Sequence, residues 1–248
     1  MNSTSADLDA GTFYPRDRSR HPPVLAPAYR STTLRAPQHP PLSLPASASE
    51  LTGPTFGHGV IQPLDNDLIR NFGHGGGEAI GQRLIVHGRV LDENALPVRD
   101  TLLEFWQANA SGRYRHRRDG YQAALDPDFG GCGRAITDDD GHYQFRTVRP
   151  GAYPWPNGGN DWRPAHIHFS IFGHTFAQRL ITQMYFEGDP MIWRDPIALS
   201  IPDRSAVEQL IAKHDWLSTT AIDAMAYRFD IVLRGRSSTP FENRREGN

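Results

Sequence analysis

With one cysteine, Cys132, in 248 residues, the chain forms no intrachain disulfide and no zinc or iron–sulfur site built on several thiolates. Any metal it holds sits on nitrogen and oxygen. Lysine is as scarce, with Lys213 alone, so arginine carries the cationic side. Neither sign of charge is in excess: 26 basic against 28 acidic side chains leave a formal charge of -2. That excludes a global field able to recruit nucleic acid or an anionic membrane. No apolar run approaches the roughly 20 residues of a membrane span, and no basic segment followed by an apolar one opens the chain. These absences read as a soluble cytoplasmic protein.

Glycine and proline are plentiful, 23 and 20 residues, about a sixth of the chain against roughly an eighth in average usage. That composition argues against a helical bundle. Ten of the 20 prolines precede residue 64, in stretches such as HPPVLAP and APQHPPLSLPASASE, which regular helix and central strand do not accommodate. The same stretch carries Tyr14, Val24, Leu25, Tyr29 and Leu34, apolar groups that a purely solvating tail does not need. Residues 1–80 are therefore read as an arm and linker, ordered and draped over the body or a partner subunit.

From Gly81 the texture changes to period-two runs bounded by turn residues, and residues 81–248 are read as a β domain. QRLIVHGRVL, TLLEFWQ, HYQFRTV, AHIHFSIF, RLITQMYF and AYRFDIVL have the β-branched and aromatic character of strands. Asp140-Gly141 supplies a turn between two of them. The expected fold is mainly β, an antiparallel β-sandwich with an irregular proline-rich arm and few short helices. One helix is expected over SAVEQLIAKHD, where Ser205 and Glu208 have capping-box spacing and Val207, Leu210 and Ile211 form an apolar stripe.

Chemistry concentrates in GAYPWPNGGNDWRPAHIHFSIF. His166 and His168 are two apart in a strand, so both imidazoles project from one face and can converge on one metal. Imidazole suits zinc, copper, iron and nickel alike, and a buried, hydrogen-bonded core pair would read the same way. Acidic residues nearby are sparse, Asp161 being the nearest, which leaves tyrosine as the candidate anion. A ferric ion favours anionic oxygen and can deprotonate a phenol of pKa about 10. Two phenolates and a hydroxide balance its charge while the histidines stay neutral. Tyr153 and Tyr114 lie in loops near this strand and beyond TLLEFWQAN, where a tyrosine is ordinarily a packing residue.

Residues 81–235 resemble the catalytic body of the intradiol ring-cleavage dioxygenases. EFWQANASGRYRHRRD, LDPDFGGCGRAITDDDGHYQFRTVRPGAYPWPNGGNDWRPAHIHF and LITQMYFEGDP carry the likeness, which extends upstream through TGPTF and residues 65–70 to HPPVLAPAYRST. The resemblance implies a mononuclear non-heme Fe(III) held by Tyr114, Tyr153, His166 and His168, with Tyr153 the ligand that substrate displaces. It implies that Arg163 stabilises negative charge on the bound ring, that Trp155, Gln183 and Ile197 line the substrate pocket, and that Tyr29 meets a substrate carboxylate. The implied reaction opens an ortho-diphenol between its hydroxyl-bearing carbons with both atoms of O2. For protocatechuate, in aromatic catabolism, the product is 3-carboxy-cis,cis-muconate. The implied partner is a homologous α chain in a hetero-oligomer; by the same resemblance residues 81–248 are the catalytic domain and the arm of residues 1–80 also reaches the pocket. Pro156 departs from the pattern, standing where a basic residue is expected, and His174 and Thr175 occupy a variable stretch; both bear on selectivity and not on the ligand set.

Competing readings are a catechol or hydroxyquinol 1,2-dioxygenase, whose helical N-terminal region the proline-rich arm does not match, and a non-catalytic transthyretin-like sandwich, which needs none of the four ligands. A zinc hydrolase on His166 and His168 lacks an evident acidic third ligand. RYRHRRD is read as fixing the loop of Tyr114 or touching a partner chain, since nothing else in the chain is basic enough for nucleic acid. Cys132 is read as a structural bystander.

Overall fold

A computed structural model describes residues 58–173, 179–235 and 237–240, with residues 20–22, 26, 28 and 30 of the arm. Tyr29, His174 and Thr175 lie outside the described residues. Among those described, no helix is long and apolar enough to cross a membrane.

Eleven strands follow in order: β1 Arg83–Leu91, β2 Leu102–Gln107, β3 Cys132–Ile136, β4 His142–Val148, β5 Tyr153–Trp155, β6 Asp161–Arg163, β7 His166–Phe172, β8 Arg179–Phe186, β9 Ile211–Thr220, β10 Ala224–Arg228 and β11 Ile231–Val232. The expected β-sandwich is what forms. In β1 every second residue, including Leu84, Val86 and Val90, is buried, as a strand with one face on a core requires. β1 pairs antiparallel with β4 and, along its other edge, parallel with β10 and β11. The second sheet runs β3-β2-β7-β8, antiparallel throughout. β9 joins the two: Ile211 and Ala212 extend β8, and the remainder pairs with β10. Three pairings, β1–β10, β1–β11 and β8–β9, are thus parallel, because they unite strands remote in sequence, which no hairpin connects.

The two sheets close on an aromatic seam. Phe105 of β2 stacks on Phe145 of β4 at 3.8 Å, and Phe169 of β7 meets Phe145, Tyr143 and Phe229 at 5.9, 6.0 and 5.4 Å. The tilted and edge-on contacts of Phe169 fall at the favourable spacings for aromatic pairs. Leu68, Ile69 and Ala79, which precede Gly81, belong to the same core.

The helix expected through Asp215 is shorter. It is a single stretch, α1, at Arg204–Glu208, capped by Asp203, whose side chain accepts from the Ser205 N–H at 2.8 Å. Ala206, Val207 and Leu210 pack into a small second core with Tyr185, Ile192 and Ile201. From Ile211 the backbone is claimed by β8 and then β10, a tertiary pairing that outweighs the weak preference of a short amphipathic segment.

Candidate active site

Strand β7 sets His166 and His168 on one face, flanked by β2 and β8: Trp106 and Gln183 lie opposite His168, and Tyr185 opposite His166. The imidazoles stand 4.9 Å apart, centroid to centroid, and the Trp106 indole lies flat against His168 at 4.9 Å with only 3° between the planes. His166 Nδ1 is 2.7 Å from the Pro164 carbonyl and donates to it. That fixes the tautomer and leaves the Nε2 lone pair free. Nε2 in turn faces the hydroxyls of Tyr153 at 3.4 Å and Tyr114 at 3.5 Å. Both contacts are longer than a good hydrogen bond to a phenol. Two donors each about 2.1 Å from a shared ion and about 110° apart stand about 3.4 Å from one another, so this spacing fits a common ligand sphere.

Burial, and then the neighbouring Arg163 charge, push His168 down to about 3; burial first, then Arg163 and His168, hold His166 well below the usual imidazole value. Both rings are therefore neutral at pH 7 with lone pairs to give. His168 Nδ1 is buried without a hydrogen-bond partner among the described residues, a costly state unless something else satisfies the ring. Among the described residues no three His, Cys, Asp or Glu side chains converge. The nearest further donors an ion at these histidines would find are the two phenol oxygens, a donor set that suits a hard trivalent cation.

A close backbone seam brings the phenols together. Asn109, at the end of β2, accepts on Oδ1 from the amides of Ser111 and Arg113 and donates from Nδ2 to Ala124 O, winding the loop that carries Tyr114. Gly112 sits at φ 84°, and a Cβ there would come within 2.3 Å of Ala152 O and 3.3 Å of Tyr153 Cβ. Only glycine lets the loop press this close to the strand bearing Tyr153. The two phenol rings end 5.5 Å apart and nearly perpendicular. The arginine run serves this loop: Arg113 Nη1 donates to Ala123 O at 2.8 Å, and Arg115 donates to Phe129 O at 2.9 Å while lying 4.6 Å over Phe72. Asp119 closes it by accepting from the Tyr114 amide at 2.8 Å.

The β5–β6 hairpin pairs Tyr153 directly with Arg163. Arg163 is only 4% exposed. Its Nη2 donates to Gln183 Oε1, its Nε lies 3.1 Å from Asp195 Oδ1, and the Trp155 ring is 5.8 Å away. The Nε–H is not aligned for a hydrogen bond to that oxygen, so the contact is Coulombic. Burial opposes the guanidinium charge, but Asp195 and then Tyr185, Tyr153 and Tyr114 more than offset it and hold the group above its usual pKa. Tyr185 Oη donates 3.0 Å to Asp195 Oδ2 and lies 3.2 Å from Gln183 Oε1. Asp195 and Tyr185 were not legible as site residues; Tyr185 carried one signal, its place two residues from Gln183 on the same strand face. Ile197 is half-buried, and its N–H is held by Asp195 Oδ1 at 3.1 Å. Asn157, in the β5–β6 turn, donates to Ala28 O at 2.8 Å and accepts from the Arg30 amide, so the backbone on either side of position 29 is tied to this hairpin.

Comparison with known proteins matches residues 51–235 to the family model described as Dioxygenase, and residues 14–47 to that of the protocatechuate 3,4-dioxygenase beta subunit N terminal. The chain is 49% identical over 236 residues to the protocatechuate 3,4-dioxygenase beta chain of Burkholderia cepacia, covering 95% of this chain and 100% of that one. It is 34% identical over 167 residues to the corresponding alpha chain of Pseudomonas putida, covering 66% and 77%. Among solved structures, 3-chlorocatechol 1,2-dioxygenase from Rhodococcus opacus 1CP superposes with a TM-score of 0.53 at 25% identity, over 77% of this chain and 73% of that one.

Proposed function

Because this chain belongs to the intradiol dioxygenase family, we propose that it is the iron-carrying β chain of a cytoplasmic protocatechuate 3,4-dioxygenase. With a homologous α chain it opens the protocatechuate ring between the two hydroxyl-bearing carbons, adding O2 to give 3-carboxy-cis,cis-muconate. Residues 1–80 serve as the arm toward partner and pocket, and 81–248 as the catalytic domain. The observation that supports this most is the convergence of two phenols on a neutral, tautomer-fixed histidine, with Arg163 buried beside them.

Tyr114, Tyr153, His166 and His168 would hold a ferric ion, which would supply a Lewis-acid centre able to make a bound diphenol reactive toward O2. Tyr153, assigned as the displaceable ligand, would accept one diphenol proton at Oη; charge in the pocket would then change little, which matters where water is scarce. Arg163 keeps its positive charge at any working pH and offers it to the ring as negative charge develops there. Trp155 and Ile197 wall the pocket, Gln183 holds the Arg163 fork, and Tyr29 is assigned to the substrate carboxylate. His166, Gln183 and Tyr185 are 3% exposed or less, so water is kept from the inner side.

Oxygen uptake and product analysis of the chain copurified with its α partner test the proposal. Protocatechuate is expected to consume one O2 per ring and yield the carboxymuconate. Turnover of catechol alone, or full activity as an isolated monomer, would overturn it.

A further inference from the structure

A carboxylate with no exposure at all, Asp195, stands behind Arg163 and belongs to none of the metal-facing groups. It lies just after the 3-10 turn Pro190–Arg194, and the contacts of its carboxylate run to residues assigned to the site or to their neighbour Tyr185. Oδ1 takes the Arg163 charge at 3.1 Å and the Ile197 amide at 3.1 Å, while Oδ2 takes the Tyr185 hydroxyl at 3.0 Å. Gln183 Oε1 closes the circuit by meeting both Arg163 Nη2 and Tyr185 Oη. Nη2 is thereby held by a hydrogen bond and Nε by the Asp195 charge beside it, while no described residue takes a hydrogen bond from Nη1.

Stability alone does not explain such a pair. Two charges removed from water lose in desolvation about what they regain from each other, and a well-packed apolar pair is often as stable or more so. What the pair adds is direction. A guanidinium is planar and rigid, so the hydrogen bond at Nη2 and the buried carboxylate charge beside Nε together limit where Nη1 can lie, whereas in a pocket with only apolar walls the long side chain would be free to turn.

We infer that Asp195, supported by Tyr185, is a positioning residue that aims the Arg163 guanidinium at the reacting ring and, through the Ile197 amide, sets the opposite wall of the pocket relative to it. The inference rests on the reading of Arg163 as the catalytic arginine. Loss of a supporting group of this kind typically costs about 10–100-fold, and a displacement of about 1 Å at a reacting centre costs about as much.

The test is a double-variant cycle in the iron-loaded holoenzyme with its α partner, using Asp195→Asn, Arg163→Leu and the two together. Asp195→Asn keeps the shape and an acceptor for the Ile197 amide. It is expected to lower kcat about 10–100-fold, with KM changed far less and the iron content and visible spectrum unchanged. In the Arg163→Leu background the same substitution is expected to cost no further activity, because nothing remains to be aimed. Tyr185→Phe, which removes one hydroxyl and no charge, serves if Asp195→Asn folds poorly; its smaller loss must vanish in the same background. Independent, multiplying losses would show a merely structural role and overturn the inference, as would an unchanged kcat in Asp195→Asn when Arg163→Leu is inactive. An active Arg163→Leu would overturn the catalytic reading of Arg163 and the inference together.

Discussion

Replacing Arg163 with leucine has an effect on stability that the catalytic reading alone does not anticipate. The substitution removes the one cation that, among the described residues, pairs with Asp195, a carboxylate of zero exposure, and leaves it facing the Tyr185 hydroxyl and the Ile197 amide. At 3.1 Å and an effective dielectric of about 20, the lost attraction is about 5 kcal/mol. Breaking one side of a buried pair is measured at about 3–5 kcal/mol, the same size. For a chain of this length 1 kcal/mol moves Tm by about 2–4 °C, so Arg163→Leu is expected to unfold roughly 6–20 °C below the parent. Adding Asp195→Asn removes the stranded charge while keeping both hydrogen-bonding neighbours, and recovers most of that loss. Thermal unfolding of the iron-free proteins, followed by circular dichroism, reads both effects. A single variant that melts with the parent, or a double variant no better than the single, would refute the placing of this pair in a low-dielectric interior. The same reasoning makes the double variant the cleaner background for kinetics.

Gly112→Ala must hold an L-residue at φ 84° with its Cβ 2.3 Å from Ala152 O. The conformation alone costs about 1–2 kcal/mol, and the clash pushes the Tyr114 loop off the Tyr153 strand; Tm and iron content are both expected to fall, and parental values of both would contradict the seam. Asn157→Ala removes two contacts to the arm backbone, each about 0.5–1.5 kcal/mol, so trypsin is expected to cut after Arg30 faster in the variant; an unchanged rate would deny the tie. His168 binds its proton near 3 in the fold but near 6.5 when unfolded, and His166 is lowered in the same direction. Between those values the unfolded chain holds the extra protons, so stability is complete above about pH 6.5 and falls on acidification, by up to about 1.4 kcal/mol per pH unit for each histidine. Urea midpoints of the iron-free protein at pH 7 and pH 5 check this, and equal midpoints would contradict it.

How much of this was legible depended on whether the signal was local. The histidine pair could be read because its spacing matches the strand period, and β1, β2, β4, β7 and β8 because apolar alternation and turn residues bound them. The helix expected over residues 205–215 ends early, at Glu208, for the opposite reason: its second half joins the two sheets, and no local pattern records a strand's distant partners. Tyr114 and Tyr153 were candidates from the residues and became a set only through the family resemblance, since the seam at Gly112 and Asn109 that unites them is a matter of backbone approach. Asp195 lies on a turn 32 residues beyond Arg163, and nothing in DPMIWRDP announces that its carboxylate points inward.

The central claim is that two tyrosinates and two histidines hold one ferric ion, and the visible spectrum of the iron-loaded protein tests it most directly. Phenolate-to-ferric charge transfer is expected to colour the protein deep red at one iron per β chain, with Tyr114→Phe losing the band together with the metal. A protein that carries stoichiometric iron and stays colourless, or a Tyr114→Phe variant that keeps both colour and iron, would contradict it.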